Sequence, residues 1–464
     1  MPRSRCNLST FAYVMLAAFA VQAFWCSASA FSFRTIYSFC READCADGGN
    51  PRGGLLQDRQ GNLYGVTAGG GEGRGGTIFE LVRTSKGGWK HKVLYSFCSV
   101  GICLDGAQPD AGLIADVSGN LYGTTPSGGK YDQGTVYELV PNAARTRWRL
   151  HTLHNFCPGG GATCPDGTFP TAPLAYAGSA SGIPYDGVSP FYGTTAFGGT
   201  FAWGTVFRLT PPVSGKKVWP LKTLYNFCAQ PNCADGAAPE TALIVDGSGD
   251  LFGTTASGQN SGNNGVAFEL VPNAQKTRWT ETILRSFCSL GSCADGAFPG
   301  SGLVADGSGN FFGLAVGGGS GTPLCYASTL ACGVAYKLTP NGSGWQEGVL
   351  YNFCSFHDCD DGYNPQGNIV IDPSGNVFGA TPYGGGNDVQ GTGIGGGTLF
   401  KLVASEGYFH FVLYSFCAKA NCADGAQPLG NLIQDNSGNI FGMTAAGGAS
   451  GIDAPGGTVF ELTP

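Results

Sequence analysis

Charge is scarce in this sequence: Asp, Glu, Lys and Arg together make up 12% of 464 residues, about half the usual share of a soluble domain. Lys and Arg number 25 against 32 acidic residues and form no cluster, so the footprint that nucleic acid requires is missing and no nucleic-acid partner is expected. Histidine is rarer still. The five residues His91, His151, His154, His357 and His410 are scattered, without a Ser-His-Asp arrangement, a phosphate loop or a His-x-x-x-His pattern. Neither a cofactor nor a metal is expected. Beyond the N-terminus no run of about 18 apolar residues occurs, which excludes a membrane-spanning helix in the mature chain, and nothing there reads as a helix of three turns.

What the sequence has in quantity is glycine (78), proline (26) and cysteine (18). The glycines follow no three-residue period, so collagen is excluded, and 42% hydrophobic with 12% aromatic residues excludes a disordered chain. A folded, turn-rich protein remains. Its first 30 residues read as an export signal: Arg3 and Arg5, an apolar stretch from Leu8 to Trp25, and the small-x-small site Ala28-Ser29-Ala30, with cleavage expected after Ala30. The aromatics before Cys26 do not suit lipid attachment. Losing Arg3 and Arg5 leaves 23 basic against 32 acidic residues, a net charge of −9. The expected location is secreted, extracellular or periplasmic.

From Phe31 onward one pattern recurs seven times. It opens on aromatic-x-Phe-Cys, as in Tyr37-Ser38-Phe39-Cys40, with His154 and Arg285 at the first place in copies three and five. Successive copies are 58, 59, 71, 60, 66 and 63 residues apart. Each continues with a second Cys, then Asp-Gly (Asp47, Asp105, Asp166, Asp235, Asp295, Asp361, Asp424), then Pro. Short runs rich in Val, Thr, Tyr and Phe, bounded by Gly, Asn and Pro, read as four β-strands per copy. A four-stranded unit repeated seven times at about 60 residues predicts an all-β, seven-bladed β-propeller over 31–464 as a single domain. The chain opens on an orphan fourth strand, Phe31 to Phe39, and stops after a third strand, Thr458 to Leu462. The N-terminal strand is therefore expected to complete the last blade. An aromatic residue eight places before each fourth-strand Phe (Phe31, Trp89, Trp148, Trp219, Trp279, Trp345, Tyr408) reads as core between blades rather than a ligand ladder.

The segments Gly-Asn-Leu-Tyr-Gly-Thr-Thr, Gly-Gly and Gly-Thr-Val-Phe-Glu-Leu resemble the GloVer tandem repeat of secreted and surface bacterial proteins over essentially all of 31–464. The resemblance implies a structural repeat and transfers no catalytic residue. It also implies a variable C-terminal anchor; this chain ends with its last strand at Pro464, and no such anchor is expected.

Cleavage leaves 16 cysteines. Seven close pairs, Cys40/Cys45, Cys98/Cys103, Cys157/Cys164, Cys228/Cys233, Cys288/Cys293, Cys354/Cys359 and Cys417/Cys422, follow the repeat, and Cys325/Cys332 lies in an insertion of copy five. In an exported chain they read as eight local disulfides. Zinc needs four ligands, whereas each repeat offers one pair in loops expected to lie far apart.

Strand alternation puts the Cys-Asp-Gly-Pro connections and the Gly-rich loops between second and third strands on one face, with the Asp-x-Ser-Gly-Asn turns on the other. Propellers bind ligands around the mouth of the central channel on such a face. The seven aspartates there read as turn caps, and the calcium-like turn Asp246 to Asp250 reads as a hairpin turn. Specific function is expected where copies differ: Phe197, Phe201 and Trp203 in copy three, Tyr326 and the Gly313-Leu314-Ala315 replacement in copy five, Tyr383 in copy six, with Tyr131, Phe298, Phe356, Tyr363 and Asp361 beside them. Aromatic platforms beside carboxylates suit sugar rings. The reading is a monomeric, non-enzymatic binding module for an extracellular glycan or protein. The alternatives are a carbohydrate-active hydrolase or lyase, which would show two acids of perturbed titration in one cleft, and a structural surface repeat, which would show no concave apolar site.

Overall fold

The computed structural model describes residues 31–99, 102–160, 164–213, 218–258, 264–320, 332–342, 344–387, 389, 394–452 and 456–464. The expected export signal (1–30), Cys325 and Tyr326 lie outside the described residues. The strands run in chain order. An N-terminal strand β1 (Ser32–Ser38) is followed by blade one, β2 (Gly49–Gln57), β3 (Leu63–Gly69), β4 (Thr77–Arg83) and β5 (Trp89–Ser96). Blade two is β6 (Ile114–Ala115), β7 (Leu121–Thr125), β8 (Thr135–Pro141) and β9 (Trp148–Asn155). Blade three is β10 (Phe191–Thr195), β11 (Thr205–Leu209) and β12 (Leu221–Asn226). Blade four is β13 (Ile244–Val245), β14 (Leu251–Thr255), β15 (Val266–Pro272) and β16 (Trp279–Ser286). Blade five is β17 (Ala297–Pro299), β18 (Val304–Ala305), β19 (Phe311–Gly317), β20 (Val334–Asn341) and β21 (Gly344–Asn352). Blade six is β22 (Gln366–Ile371), β23 (Val377–Thr381), β24 (Thr398–Val403) and β25 (Phe409–Ser415), and blade seven is β26 (Ile433–Gln434), β27 (Ile440–Thr444) and β28 (Thr458–Thr463).

All ladders are antiparallel, and the fold is a seven-bladed propeller. β1 pairs with β28 from Ser32 opposite Thr463 to Ser38 opposite Thr458, so the chain's first strand is the outer strand of its last blade. Two blades vary the four-strand plan. In blade three a single bridge between Ala175 and Tyr192 stands in for the first strand, and 177–190 form a longer excursion beyond it. Tyr185 from that excursion is fully buried against Tyr122 and Phe191. In blade five the first strand is broken into β17 and β18, both paired to β19.

The core is one apolar cluster per blade interface. Blade-one residues Tyr64 and Val66 pack with Leu121 and Tyr137 of blade two, and the series continues round to Phe441 and Val459 of blade seven against Phe79 and Leu81 of blade one. The aromatic set eight places before each fourth-strand Phe belongs to these clusters: Trp279 packs with Ala175 and Tyr192 of the preceding blade, and Trp89 meets Phe441 at 6.3 Å. Each second strand carries a glycine under the third-strand aromatic. A Cβ on Gly193 would lie 2.5 Å from Phe207 Cζ, and one on Gly123 2.4 Å from Tyr137 Oη. Beside it, paired threonines are hydrogen-bonded in the core, as Thr125 with Thr135 and Thr195 with Thr205, both at 2.9 Å. In copy five Ala315 and Val334 take these places, fully buried, so the departure from Gly-Thr-Thr is an apolar replacement inside the core.

Candidate functional site

The Gly-rich loops and the blade connections share one face, as strand parity dictates. The carbonyl of the second Cys of a copy accepts from a glycine N–H of the adjacent Gly-rich loop: Gly71 to Cys45 at 2.9 Å, Gly129 to Cys103 at 2.8 Å, Gly199 to Cys164 at 2.7 Å, Gly319 to Cys293 at 2.8 Å and Gly385 to Cys359 at 3.1 Å. Seven disulfides hold these connections: Cys40–Cys45, Cys98–Cys103, Cys157–Cys164, Cys228–Cys233, Cys288–Cys293, Cys354–Cys359 and Cys417–Cys422. Both cysteines of each repeat pair but Cys164 have positive φ, between 48° and 64°, a conformation costly for a side-chain-bearing residue.

Several of these connections are tighter than plain loops, because the second cysteine ends a one-turn helical segment. Cys233 closes Pro231–Cys233 and Cys293 closes Gly291–Cys293; their N–H groups donate back to Gln230 and Leu290, both at 3.0 Å, and their carbonyls accept from Gly236 and Gly296, both at 2.9 Å. Cys233 and Cys293 border neither of the cavities described below. They are staples of the connection.

Cys332 is also disulfide-bonded. The pairs do not all lie apart: the Sγ atoms of Cys332, Cys354 and Cys359 come within 4.8 Å of one another, buried where blades five and six meet. Cys354 and Cys359 are bonded to each other, and a disulfide sulfur is not the thiolate that binds metal.

Each aspartate of the repeat holds its own turn. Asp47 accepts from Tyr37 Oη (2.8 Å) and the N–H groups of Arg41 and Glu42. Asp361 accepts from Tyr351 Oη (2.6 Å), Ser355 N (2.9 Å) and Phe356 N (3.2 Å) and is fully buried. The first place of aromatic-x-Phe-Cys is therefore a donor position: His154 Nε2 meets Asp166 at 2.8 Å, and Arg285 Nη2 meets Asp295 at 2.6 Å. On the opposite face Asp246 Oδ1 accepts from the N–H groups of Ser248, Gly249 and Asp250, the bonding of a hairpin turn.

The aromatic candidates fall into two groups on the loop face. On blade three Phe197, Phe201 and Trp203 are exposed by 44%, 44% and 42%, with Phe169 set edge-on to Phe197 at 5.9 Å. On blade six Tyr383 stacks on Tyr363 at 5.4 Å, lining a cavity of about 470 Å³ with Val389, Ile394 and the side chains of Asn364, Gln366 and Gln427. In it the Gln366 amide donates to Asn364 Oδ1. Tyr131 is half-buried under the Lys130 ammonium, 5.2 Å from its ring centre, and Phe298 is exposed on β17 and Phe356 on its connection.

The central channel has a lining that sequence reasoning missed. The residue after the repeat's Pro comes from each blade in turn, Arg52, Asp110, Thr171, Glu240, Gly300, Gln366 and Leu429, and all border a cavity of about 210 Å³. Gln366 also borders the blade-six cavity, so the two adjoin. Burial raises the Asp110 carboxyl to about 7, with the Arg52 charge opposing, and the protein around Glu240 raises its carboxyl as well. The signal available was variation: this is a place where seven otherwise similar copies carry seven different residues.

The repeat model of Gloeobacter and Verrucomicrobia matches residues 23–189 and 175–388. The chain belongs to the Gloeobacter/Verrucomicrobia repeat family. No curated protein matches this repeat protein in sequence. Among solved structures it is similar in fold to an ancestral GH74 enzyme (10% identity, TM-score 0.53, covering 90% of this chain and 48% of that one). It is also similar to a PL25 ulvan lyase (13%, 0.48, 86% and 92%). A third is PorZ, a surface component of the type-IX secretion system of Porphyromonas gingivalis (12%, 0.48, 89% and 46%). The chain thus spans about half the length of PorZ and of the GH74 enzyme. At these identities the likeness is one of fold. Among the described residues no helix of this repeat protein is long and apolar enough to cross a membrane, and its disulfides fit an extracellular or periplasmic protein.

Proposed function

We propose that this repeat protein is an exported, non-enzymatic binding propeller that takes a glycan on its loop face. The observation that carries the reading is the pairing of aromatics with side-chain amides in the blade-six cavity, where the Tyr363–Tyr383 stack meets Asn364, Gln366 and Gln427, with Phe197, Phe201 and Trp203 exposed on the loop face of blade three. Sugar rings stack their C–H faces on such aromatics while side-chain amides exchange hydrogen bonds with hydroxyls. A concave, partly apolar site also speaks against a purely structural repeat. Asp361, enclosed by its own turn, supports the loop rather than meeting ligand.

Glycan-array binding of the purified protein tests the reading, with Trp203→Ala and Tyr383→Ala alongside. Binding weakened at least about tenfold by either substitution is expected; a blank array overturns the glycan and leaves a protein ligand. One observation favours a second reading, a carbohydrate-active hydrolase: Asp110 and Glu240 border one cavity and both carboxyls are raised, as a general acid requires. A reducing-sugar assay on every bound glycan separates the two, because only the hydrolase releases product.

A further inference from the structure

The channel mouth has an uneven wall. Blades two, three and four present Asp110, Thr171 and Glu240 in succession, while Ala111, Pro173 and Leu429 contribute carbon. Asp110 Oδ1 and Thr171 Oγ1 are buried and reach no hydrogen-bond partner within the protein. Arg52 borders the same cavity and its charge acts on Asp110, but its Nε donates to Asn50 Oδ1 at 3.3 Å and it is one cation against two carboxyl groups. Two carboxyl groups are thus brought into one small cavity with their charge incompletely matched, an arrangement that repels anions and gains from a cation.

We propose that the mouth of the central channel binds a primary ammonium group carried on a short methylene stem. An ammonium supplies three donors and no acceptor, matching acceptors on three consecutive blades, and its stem lies against the carbon of Pro173 and Leu429. A divalent metal fits less well, since calcium takes six to eight oxygens and much of this wall is carbon and glycine. The site uses none of the aromatic residues of the glycan reading, though it adjoins the blade-six cavity through Gln366 and shares Asp110 and Glu240 with the hydrolase reading. Its charge state is governed by Asp110, which faces Arg52 from β2 and Glu240 across the channel, with the Tyr137 hydroxyl of β8 also in its field. Ammonium binding requires the ionised carboxylate, so affinity rises with pH between about 5 and about 8.

Calorimetric titration of the purified protein with n-butylammonium tests the proposal, with N-acetyl-lysine methylamide, tetramethylammonium and calcium chloride in parallel. Saturable one-to-one binding of butylammonium is expected, stronger at the higher pH and weakened at least about tenfold in Glu240→Gln and in Asp110→Asn. Tetramethylammonium, which has no N–H, is expected to bind weakly. Tighter binding of the blocked lysine assigns the site to a protein side chain; tighter binding of butylammonium assigns it to a free amine. Should Asp110→Asn fail to fold, Glu240→Gln on the rim carries the test. Absence of saturable amine binding, unchanged affinity in Glu240→Gln, or calcium binding in preference to the amine overturns the proposal.

Discussion

At the scale of single residues, the seven aspartates and the residue opening each aromatic-x-Phe-Cys string form one unit. Tyr, His and Arg look unrelated in sequence, yet each donates to the same buried carboxylate, so the substitution preserves the bond rather than the ring. Tyr351→Phe leaves Asp361 one charge-assisted partner short inside the protein, and a loss of about 1–3 kcal/mol is expected from denaturant unfolding. Asp361→Ala, which strips three donors at once, is expected to cost more. His91 and His410 do a different job: each stacks on the tyrosine of the neighbouring blade, Tyr37 at 4.2 Å and Tyr351 at 4.3 Å. Burial depresses both imidazoles from 6.5 to about 4. The unfolded chain therefore takes up protons below about pH 6.5 while the fold resists them, and stability falls as pH drops from about 6.5 toward about 4. Near pH 5 each histidine costs about 2 kcal/mol. Melting measured at pH 7 and pH 5 is expected to show that drop, and His410→Phe to reduce it; an unchanged pH difference in the variant would exclude His410 as a source.

At the scale of elements, most strands were legible because the repeat presents them seven times over, each bounded by the same turns. Blade three escaped that reading. Its copy keeps Gly-Thr-Thr and the third and fourth strands, but the 177–190 excursion leaves the first strand as one bridge, and no local pattern shows that Tyr185 fills the space. The second-strand glycine is the opposite case, plain in sequence but explained only by packing, since Gly193 sits under the Phe207 ring. Gly193→Ala forces that ring to shift in a close-packed interface and is expected to cost about 1–3 kcal/mol. The same change at Gly247, with nothing within 4 Å of its Cβ, is expected to leave the midpoint of unfolding nearly unchanged. Equal effects at the two sites would show that ring contact is not what demands glycine.

At the scale of the whole molecule, the loop-face aromatics were legible as departures from the repeat, whereas the channel was not, because its wall exists only when seven distant residues converge. Closure makes that wall, and closure rests on β1. Phe33 stacks on Tyr414 of blade six at 3.7 Å and contacts Phe416 and Phe460, while Arg34 pairs with the buried Glu461. Deleting residues 31–39 strips the ladder from β28 and also removes Phe39, which is fully buried in the cluster joining blades seven and one. The damage therefore spreads over two interfaces, and the channel residues on either side of the seam, Leu429 and Arg52, lose their common frame. A large fall in melting temperature is expected from the deletion, together with loss of any channel ligand. Phe33→Ala, which keeps the ladder, is expected to cost about 2 kcal/mol and to leave the channel intact. Near-normal melting of the deletion would mean that blades one and seven hold together through their side-chain cluster alone, so that the N-terminal strand is an addition to a ring already shut.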